Sequence, residues 1–515
     1  ELSRLEEQQR EANLAGKEQD RERERRIAEI HAELSLRRLS GAHVELANHP
    51  EWVRLSREIE RLERSDPDSW DITELEEERD LVALDHLIEE GNFIARPSDI
   101  ARQLRPGEVL VDFFFVPPSR LDDIGRYGAV LLHADGRVDL ARLGSSEPID
   151  AMVAEFRELI KGANIEDPTL DRQVATVLRR GFELVLGPVQ ERLSSSESLV
   201  FCADGQLLFL PFGSLEDDSG VLAQDRWEIT YVNAARDLLR ERRAPARDRT
   251  ALLVGNPSFE SSSGATGSRG RALRLDEEVR AALARASRGL LLPPLPGTKS
   301  EVEALAPRLE EAGFRVMALM EESATESRFT SFEVSPTILH LATHGFFLDE
   351  LPLPDRSTSE KADSAMLRGG LALTRAQDTL KQWESGRVPA THDDGILLAA
   401  EVAQLDLSGT EIVVLSACDT AVGRARGGEG VEGLRSGLTL AGAQNVLLTL
   451  WPVSDHATVE VMRVFYEKLL GGTPAPIALA ETKRELFHQF AEEEGEYIAH
   501  YFVAPFLVTR SGSLR

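Results

Sequence analysis

His344 and Cys418 are the two residues of this sequence whose types and settings together suit covalent chemistry. Each closes an apolar run, Thr337-Ile-Leu-His-Leu-Ala-Thr-His344 and Ile412-Val-Val-Leu-Ser-Ala-Cys418. Such runs read as buried strands, which puts both side chains at strand ends. In open α/β sheets, ligands sit in the crevice beyond the carboxyl ends of the strands. If the two strands are neighbours, imidazole and thiol converge there. The imidazole can then help generate a thiolate that attacks a carbonyl, and can later protonate the leaving amine. That is acyl transfer. Gly345 lets the backbone turn sharply after the histidine, and the Gly345 and Cys418 amides could together form an oxyanion hole.

Taken singly, these residue types have ordinary readings as well. A free cysteine is among the most buried residue types, and Cys202 is read that way, as a structural thiol. A lone histidine at a strand end is more often a hydrogen-bonded structural residue. Metal binding by His340 and His344 is disfavoured, because four residues along a strand separate them by roughly 13 Å, too far for one ion. The glycine-rich stretch from Gly423 to Gly430 lacks the phosphate-loop pattern. No metal and no cofactor are therefore expected. Asp419, beside the cysteine, and Glu429 are candidate acidic wall residues that could steer a basic substrate or satisfy loop amides.

Three regions must position this chemistry. Residues 1–95 are dense in Glu, Arg, Leu and Ala and read as a helical arm, or as the end of a helical repeat array, with salt-bridged faces. Residues 96–249 and 250–515 each alternate short apolar strands with amphipathic helices, the pattern of α/β layering around a mostly parallel sheet. Strands are expected at 109–116, 129–133, 198–202 and 229–232, then at 251–257, 314–319, 337–342, 412–416 and 445–450. Helices are expected at 149–161 and 172–192. Thr298-Lys-Ser-Glu301 fits a capping box opening a helix towards Leu309, which Pro307 should kink or end early. Two polar stretches, 261–271 and 349–394, read as mobile loops, the second directly after His344.

Length and composition bound the function. A chain of 515 residues exceeds one hydrophobic core, so two or more folding units are expected. With 42% hydrophobic and 29% charged residues, and no apolar run near the roughly 20 that cross a bilayer, it reads as a soluble cytoplasmic protein without membrane association. A formal net charge of −29 repels phosphate backbones and anionic lipid and welcomes basic peptides, which argues against nucleic acid as a partner. Two cysteines fit a reducing compartment. Glu1 begins within a charged helical pattern without a start methionine, so an upstream portion is expected.

Five motifs in order carry a resemblance: Leu295-Pro-Gly-Thr-Lys-Ser-Glu301, His340-Leu-Ala-Thr-His-Gly-Phe346, Leu415-Ser-Ala-Cys-Asp-Thr420, Gly428-Glu-Gly-Val431 and Leu450-Trp-Pro-Val-Ser-Asp455. Together with upstream segments near Phe201 and Leu253, they make roughly residues 100–510 resemble the CHAT domain, a caspase-like family often attached to TPR repeats. The resemblance implies an α/β fold of the caspase-haemoglobinase type, in which a half without catalytic residues, here 96–249, packs beside an active half, 250–515, as in separase. It implies His344 and Cys418 as the dyad. It also likens Asp455 to the separase aspartate that receives an arginine side chain before the scissile bond, since a bidentate carboxylate selects arginine over neutral residues. Helix capping by Ser454 and Asp455 is the competing reading. The position of the loop after Cys418 resembles the one caspases cleave to mature, which nominates Arg424 and Arg426 as self-processing sites, with Arg356 and Arg368 as rivals.

The expectation is a cysteine endopeptidase acting through a thioester acyl-enzyme on a protein substrate, after a basic residue, and latent until a partner or signal rearranges its loops. An activating protein partner could bind through the N-terminal helices. A substrate peptide could add to the sheet edge near the cysteine. The alternative is a non-catalytic CHAT scaffold that only binds partners. A small-molecule amidase would require a closed pocket instead.

Overall fold

A computed structural model describes residues 95–118, 124–162, 167, 169–242, 249–260, 287, 289–332, 334–347, 366–385, 393–416, 429–451 and 453–514. Residues 98–515 belong to one compact unit. Its first strands are β1 (Glu108–Val116), β2 (Arg126–His133), β3 (Val138–Ser145), β4 (Ser198–Cys202) and β5 (Glu228–Val232). A second series follows with β6 (Thr250–Pro257), β7 (Arg315–Glu321), β8 (Ile338–Ala342), β9 (Gly345–Phe347), β10 (Gly369–Ala372), β11 (Ile396–Leu398), β12 (Ile412–Leu415), β13 (Asn445–Thr449) and β14 (Phe506–Arg510). Eleven of them pair into one sheet, in the order β3-β2-β1-β4-β5-β14-β13-β12-β8-β6-β7, and β11-β10-β9 form a second, small sheet. The expected α/β layering is present.

The central strands are buried on both faces, which is why they read as unbroken apolar runs. Along β8, Leu339 and Leu341 enter one core while Ile338 enters the other, and β12 alternates likewise, with Val413 and Leu415 against Ile412 and Val414. Helices α1 (Ser146–Gly162) and α2 (Leu170–Gly181) contribute to the first core. The second is filled from α3 (Pro296–Glu311), α6 (Asp455–Leu470) and α7 (Ala475–Glu494). Two further helices, α4 (Ala376–Glu384) and α5 (Glu429–Leu440), complete the layer beside the small sheet. No helix among the described residues is long and apolar enough to cross a membrane.

Four local expectations are corrected. Thr298 is not an N-cap: α3 starts at Pro296, and the Thr298 hydroxyl donates to the Leu295 carbonyl and accepts from the Asn256 N–H, tying the helix start to β6. Pro307 does not end the helix early; α3 runs to Glu311. Pro307 and Glu303, whose carbonyl loses its partner, are both solvent-exposed, so water satisfies the orphan group. The helix expected at 172–192 stops at Gly181 and continues as a π turn to Leu186 and a 3₁₀ turn to Leu193, where Gly187-Pro188 denies the chain its regular donors. The stretch 349–394 is not one loop, since it contains β10 and α4. Residues 261–271 lie outside the described residues.

The seam between the two strand series is β14, parallel to β5 and antiparallel to β13. Lys483 on α7 is buried and donates to the carbonyls of Ala504 and Phe506, 3.0 Å each, at the entry to this strand. Burial lowers its pKa to about 7. An unfolded lysine stays protonated to about pH 10. Between these values the unfolded chain binds more protons than the folded one, so stability rises with pH in that window. The wild type is therefore expected to gain about 2 kcal/mol relative to Lys483→Met between pH 7 and 9. Urea unfolding at both pH values measures it, and a pH-independent difference would reject this account of Lys483.

Candidate active site

The two strands that deliver the candidate dyad are neighbours. β8 and β12 pair in parallel, from Ile338 opposite Ile412 to Leu341 opposite Leu415. His344 follows Leu341 by three residues, and Cys418 follows Leu415 by the same interval. Both chains therefore leave the sheet side by side at its carboxyl edge. Cys418 itself lies outside the described residues, as do Asp419, Arg424, Arg426 and Arg356.

His344 is 8% exposed, and its Nε2 lies 2.8 Å from the Pro293 carbonyl oxygen. A carbonyl can only accept, so Nε2 carries the proton and the Nδ1 lone pair is left for chemistry. The Phe259 ring, 5.1 Å away between centroids, packs against the imidazole. The group that meets this imidazole is a backbone carbonyl, which carries no residue-type signal. Gly345 opens β9 opposite Leu371 of β10, and the Ala372 N–H donates to the His344 carbonyl at 2.8 Å. The alternation of an antiparallel ladder then turns the Gly345 N–H away from β10, as an oxyanion donor requires.

The small sheet supports this turn. Phe346 sits in its own core with Phe259, Leu292, Ala372 and Leu398. The chain enters β11 through Gly395, whose φ of 83° is left-handed and whose N–H donates to Glu326 Oε2 at 3.2 Å. Burial, and then the neighbouring Asp394 charge, pushes the Glu326 carboxyl well up; burial likewise raises Asp394 to about 7. Arg368, one of the self-processing candidates, is 7% exposed directly ahead of β10. That burial would hinder a protease from reaching it.

Asp455 is the first residue of α6, and the helix cap is supplied by Ser454, whose hydroxyl accepts from the Ala457 N–H. Glu429 opens α5. Cys202 is buried at the end of β4, donates to the Asn233 carbonyl at 3.4 Å and has its thiol pKa pushed well up by burial. Beside it, burial raises Asp112 to about 7. This thiol is not primed for nucleophilic chemistry.

One cluster beneath the strand ends was not anticipated. His340, fully buried on β8, meets the Tyr466 hydroxyl through Nδ1 at 3.0 Å and faces Glu301 Oε1 through Nε2 at 3.1 Å, a contact without hydrogen-bond alignment. The other Glu301 oxygen accepts from the Ser416 hydroxyl at 2.9 Å. The sequence assigned Glu301 to a capping box and weighed His340 only as a metal ligand.

The family model for the CHAT domain matches residues 176–507. Tetratricopeptide repeat protein 28 of Mus musculus is 27% identical over 329 residues, covering 60% of this chain and 12% of that protein. Its Homo sapiens counterpart is 25% identical over 320 residues, with the same shares. The chain thus spans about an eighth of the curated relatives it matches. Among solved structures, the Saccharomyces cerevisiae separase–securin complex is similar at 10% identity and a TM-score of 0.45, covering 81% of this chain and 31% of that one. The Arg-specific cysteine proteinase gingipain R is similar at 10% identity and a TM-score of 0.33, covering 71% and 74%.

At Gly395 an added Cβ would run into the Thr374 carbonyl and the Ala376 N–H, on top of the unfavourable φ, whereas at Gly136, with φ 89°, nothing lies within 4 Å. Gly395→Ala is expected to destabilise the protein by about 2–4 kcal/mol and Gly136→Ala by about 1. Urea midpoints measure both, and equal losses would mean the turn into β11 is not sterically locked.

Proposed function

This chain belongs to the CHAT domain family, and from that premise we propose that it is a cysteine endopeptidase that cleaves a protein substrate after a basic residue, with His344 and Cys418 as its dyad. The observation that carries the reading is the in-register parallel pairing of β8 and β12, three residues short of each candidate.

In this proposal the His344 Nδ1 takes the proton of the Cys418 thiol, and the thiolate attacks the scissile carbonyl. The Gly345 and Cys418 amides receive the oxyanion. As the tetrahedral adduct collapses to a thioester, His344 returns the proton to the departing amine. Water, deprotonated by the same imidazole, then hydrolyses the thioester and frees the thiol. The Pro293 carbonyl holds the imidazole in the tautomer this sequence needs.

Asp455 is proposed as the base of the pocket for the basic side chain before the scissile bond. Its position at the start of α6 is compatible with that role, because Ser454 already supplies the cap. Asp419 and Glu429 are proposed as further acidic walls, and the net charge of −29 favours basic peptides at long range. Arg424, Arg426 and Arg356 remain proposed self-processing sites; burial argues against Arg368. Latency is proposed to be relieved by a protein partner engaging residues 1–95. Support for a repeat-type arm comes from the matching curated relatives, both tetratricopeptide repeat proteins by name.

The test is intact-mass labelling with peptidyl acyloxymethyl ketones bearing arginine, lysine, aspartate or leucine. Labelling by the basic probes, lost in Cys418→Ala and His344→Ala at an unchanged melting temperature, is expected. Asp455→Ala is expected to slow arginyl labelling by about 10-fold to 100-fold, the worth of a charge-assisted hydrogen bond, and to leave the leucyl rate unchanged. A folded protein that no probe labels, with or without candidate partners, would favour a non-catalytic scaffold.

A further inference from the structure

Among the buried polar side chains that the mechanism above leaves unused are Glu301, His340, Ser416 and Tyr466, each no more than 7% exposed. They form one connected set, from the Ser416 hydroxyl to Glu301 Oε2 at 2.9 Å, from Glu301 Oε1 to His340 Nε2 at 3.1 Å, and from His340 Nδ1 to the Tyr466 hydroxyl at 3.0 Å. Burying ionisable groups in an apolar core is costly, and replacing such a set with hydrocarbon is often neutral or stabilising, so stability alone does not account for it.

Its placement does. Ser416 stands two residues before Cys418 at the end of β12, and His340 four residues before His344 on β8. Glu301 is on α3, and Tyr466 is on α6, the helix that Asp455 opens. One carboxylate thus connects the segments that carry the nucleophile and the base, and through His340 it reaches the helix that carries the proposed specificity residue. His340 itself sits roughly 13 Å along the strand from His344, too far to exchange protons with a substrate there. The Tyr466 hydroxyl and His340 Nδ1 share a hydrogen bond whose direction follows the imidazole tautomer, and Nε2 faces Glu301.

We propose that Glu301 is the central positioning residue of the peptidase site, using Ser416 and His340 to fix where the nucleophile and base segments leave the sheet and Tyr466 to hold α6 in step with them. The inference rests on the peptidase reading for its kinetic consequence. Side chains that act through others shift the geometry of the reacting groups, and misplacements near 1 Å cost about 100-fold in rate.

The experiment compares Ser416→Ala, Tyr466→Phe, Glu301→Gln and Glu301→Ala in the full chain, with two readouts beside the melting temperature. The first is turnover of an arginyl peptide substrate. A loss of about 10-fold to 100-fold in kcat with KM moved less than about twofold is expected for Ser416→Ala and Glu301→Ala, with Glu301→Gln, which can still engage the Ser416 hydroxyl, in between. The second readout needs no peptidase activity: the rate of Cys418 alkylation by iodoacetamide, read by peptide mass spectrometry with buried Cys202 as internal reference. It is expected to change at least about threefold in the same variants. Should Glu301→Ala fail to fold, Ser416→Ala and Tyr466→Phe, which each remove one oxygen, decide. Folded variants with wild-type alkylation rates overturn the positioning role. A wild type without turnover, with or without candidate partners, whose variants still alter alkylation overturns the peptidase reading and leaves the positioning role standing.

Discussion

The parallel pairing of β8 with β12 is the constraint on which the rest depends. Both strands are buried along their whole length, and their side chains alternate between the two cores. A slip by one residue would exchange the faces of a strand, moving Leu339 and Leu341 into the core that α3 and α6 fill, and taking His340 away from Glu301 and Tyr466. The register is therefore marked twice, by apolar shape and by the buried contacts of His340 with Tyr466 and Glu301. Because parallel strands end on the same edge, β8 and β12 both point their carboxyl ends to the same side of the sheet.

The rest of the large sheet extends that edge. β14, the last strand, is inserted between β5 and β13 and makes one sheet of what would otherwise be two. Arg510 at its end is fully buried and paired with Glu108 of β1 at 2.9 Å, with Arg105 and Glu228 close by. Such an ion pair adds little net stability over a hydrocarbon pair, but leaving either partner alone is strongly unfavourable, so it selects one arrangement of β14 against β1 and β5. The first strand series has its own thiol at a strand end, Cys202, with the Asp112 carboxyl opposite it on β1, yet burial drives both towards their neutral forms. A cysteine at the end of a sheet strand is not by itself an active site; the environment decides.

What could be read from the sequence follows from this physics. Strands buried on both faces give continuous runs of Ile, Val and Leu, so β1, β4, β5, β6, β8, β12 and β13 were legible to within a few residues. β9, β10 and β11 were not, because strands of three or four residues, two of them beginning with glycine, carry neither a run nor an alternation. The resemblance between Thr298-Lys-Ser-Glu301 and a capping box misled, since a local pattern cannot say that Glu301 faces inward to a histidine on another strand. The Pro293 carbonyl was invisible for a different reason. Every residue has a carbonyl, and only the folded chain says which one meets an imidazole.

That choice of orienting group has a chemical consequence. An imidazole held by a carboxylate gains basicity, because the negative charge stabilises the imidazolium; one held by a neutral carbonyl gains orientation with far less added basicity. With Pro293 as the partner, the His344 ring is held in one orientation by a neutral acceptor. In the proposed peptidase, formation of an ion pair would draw on the rest of the edge as well: the proposed oxyanion donors, the dipoles of strand and helix ends, and the substrate. In the proposed peptidase, the seating of β8, β12 and the small sheet would then decide how well the reacting groups meet.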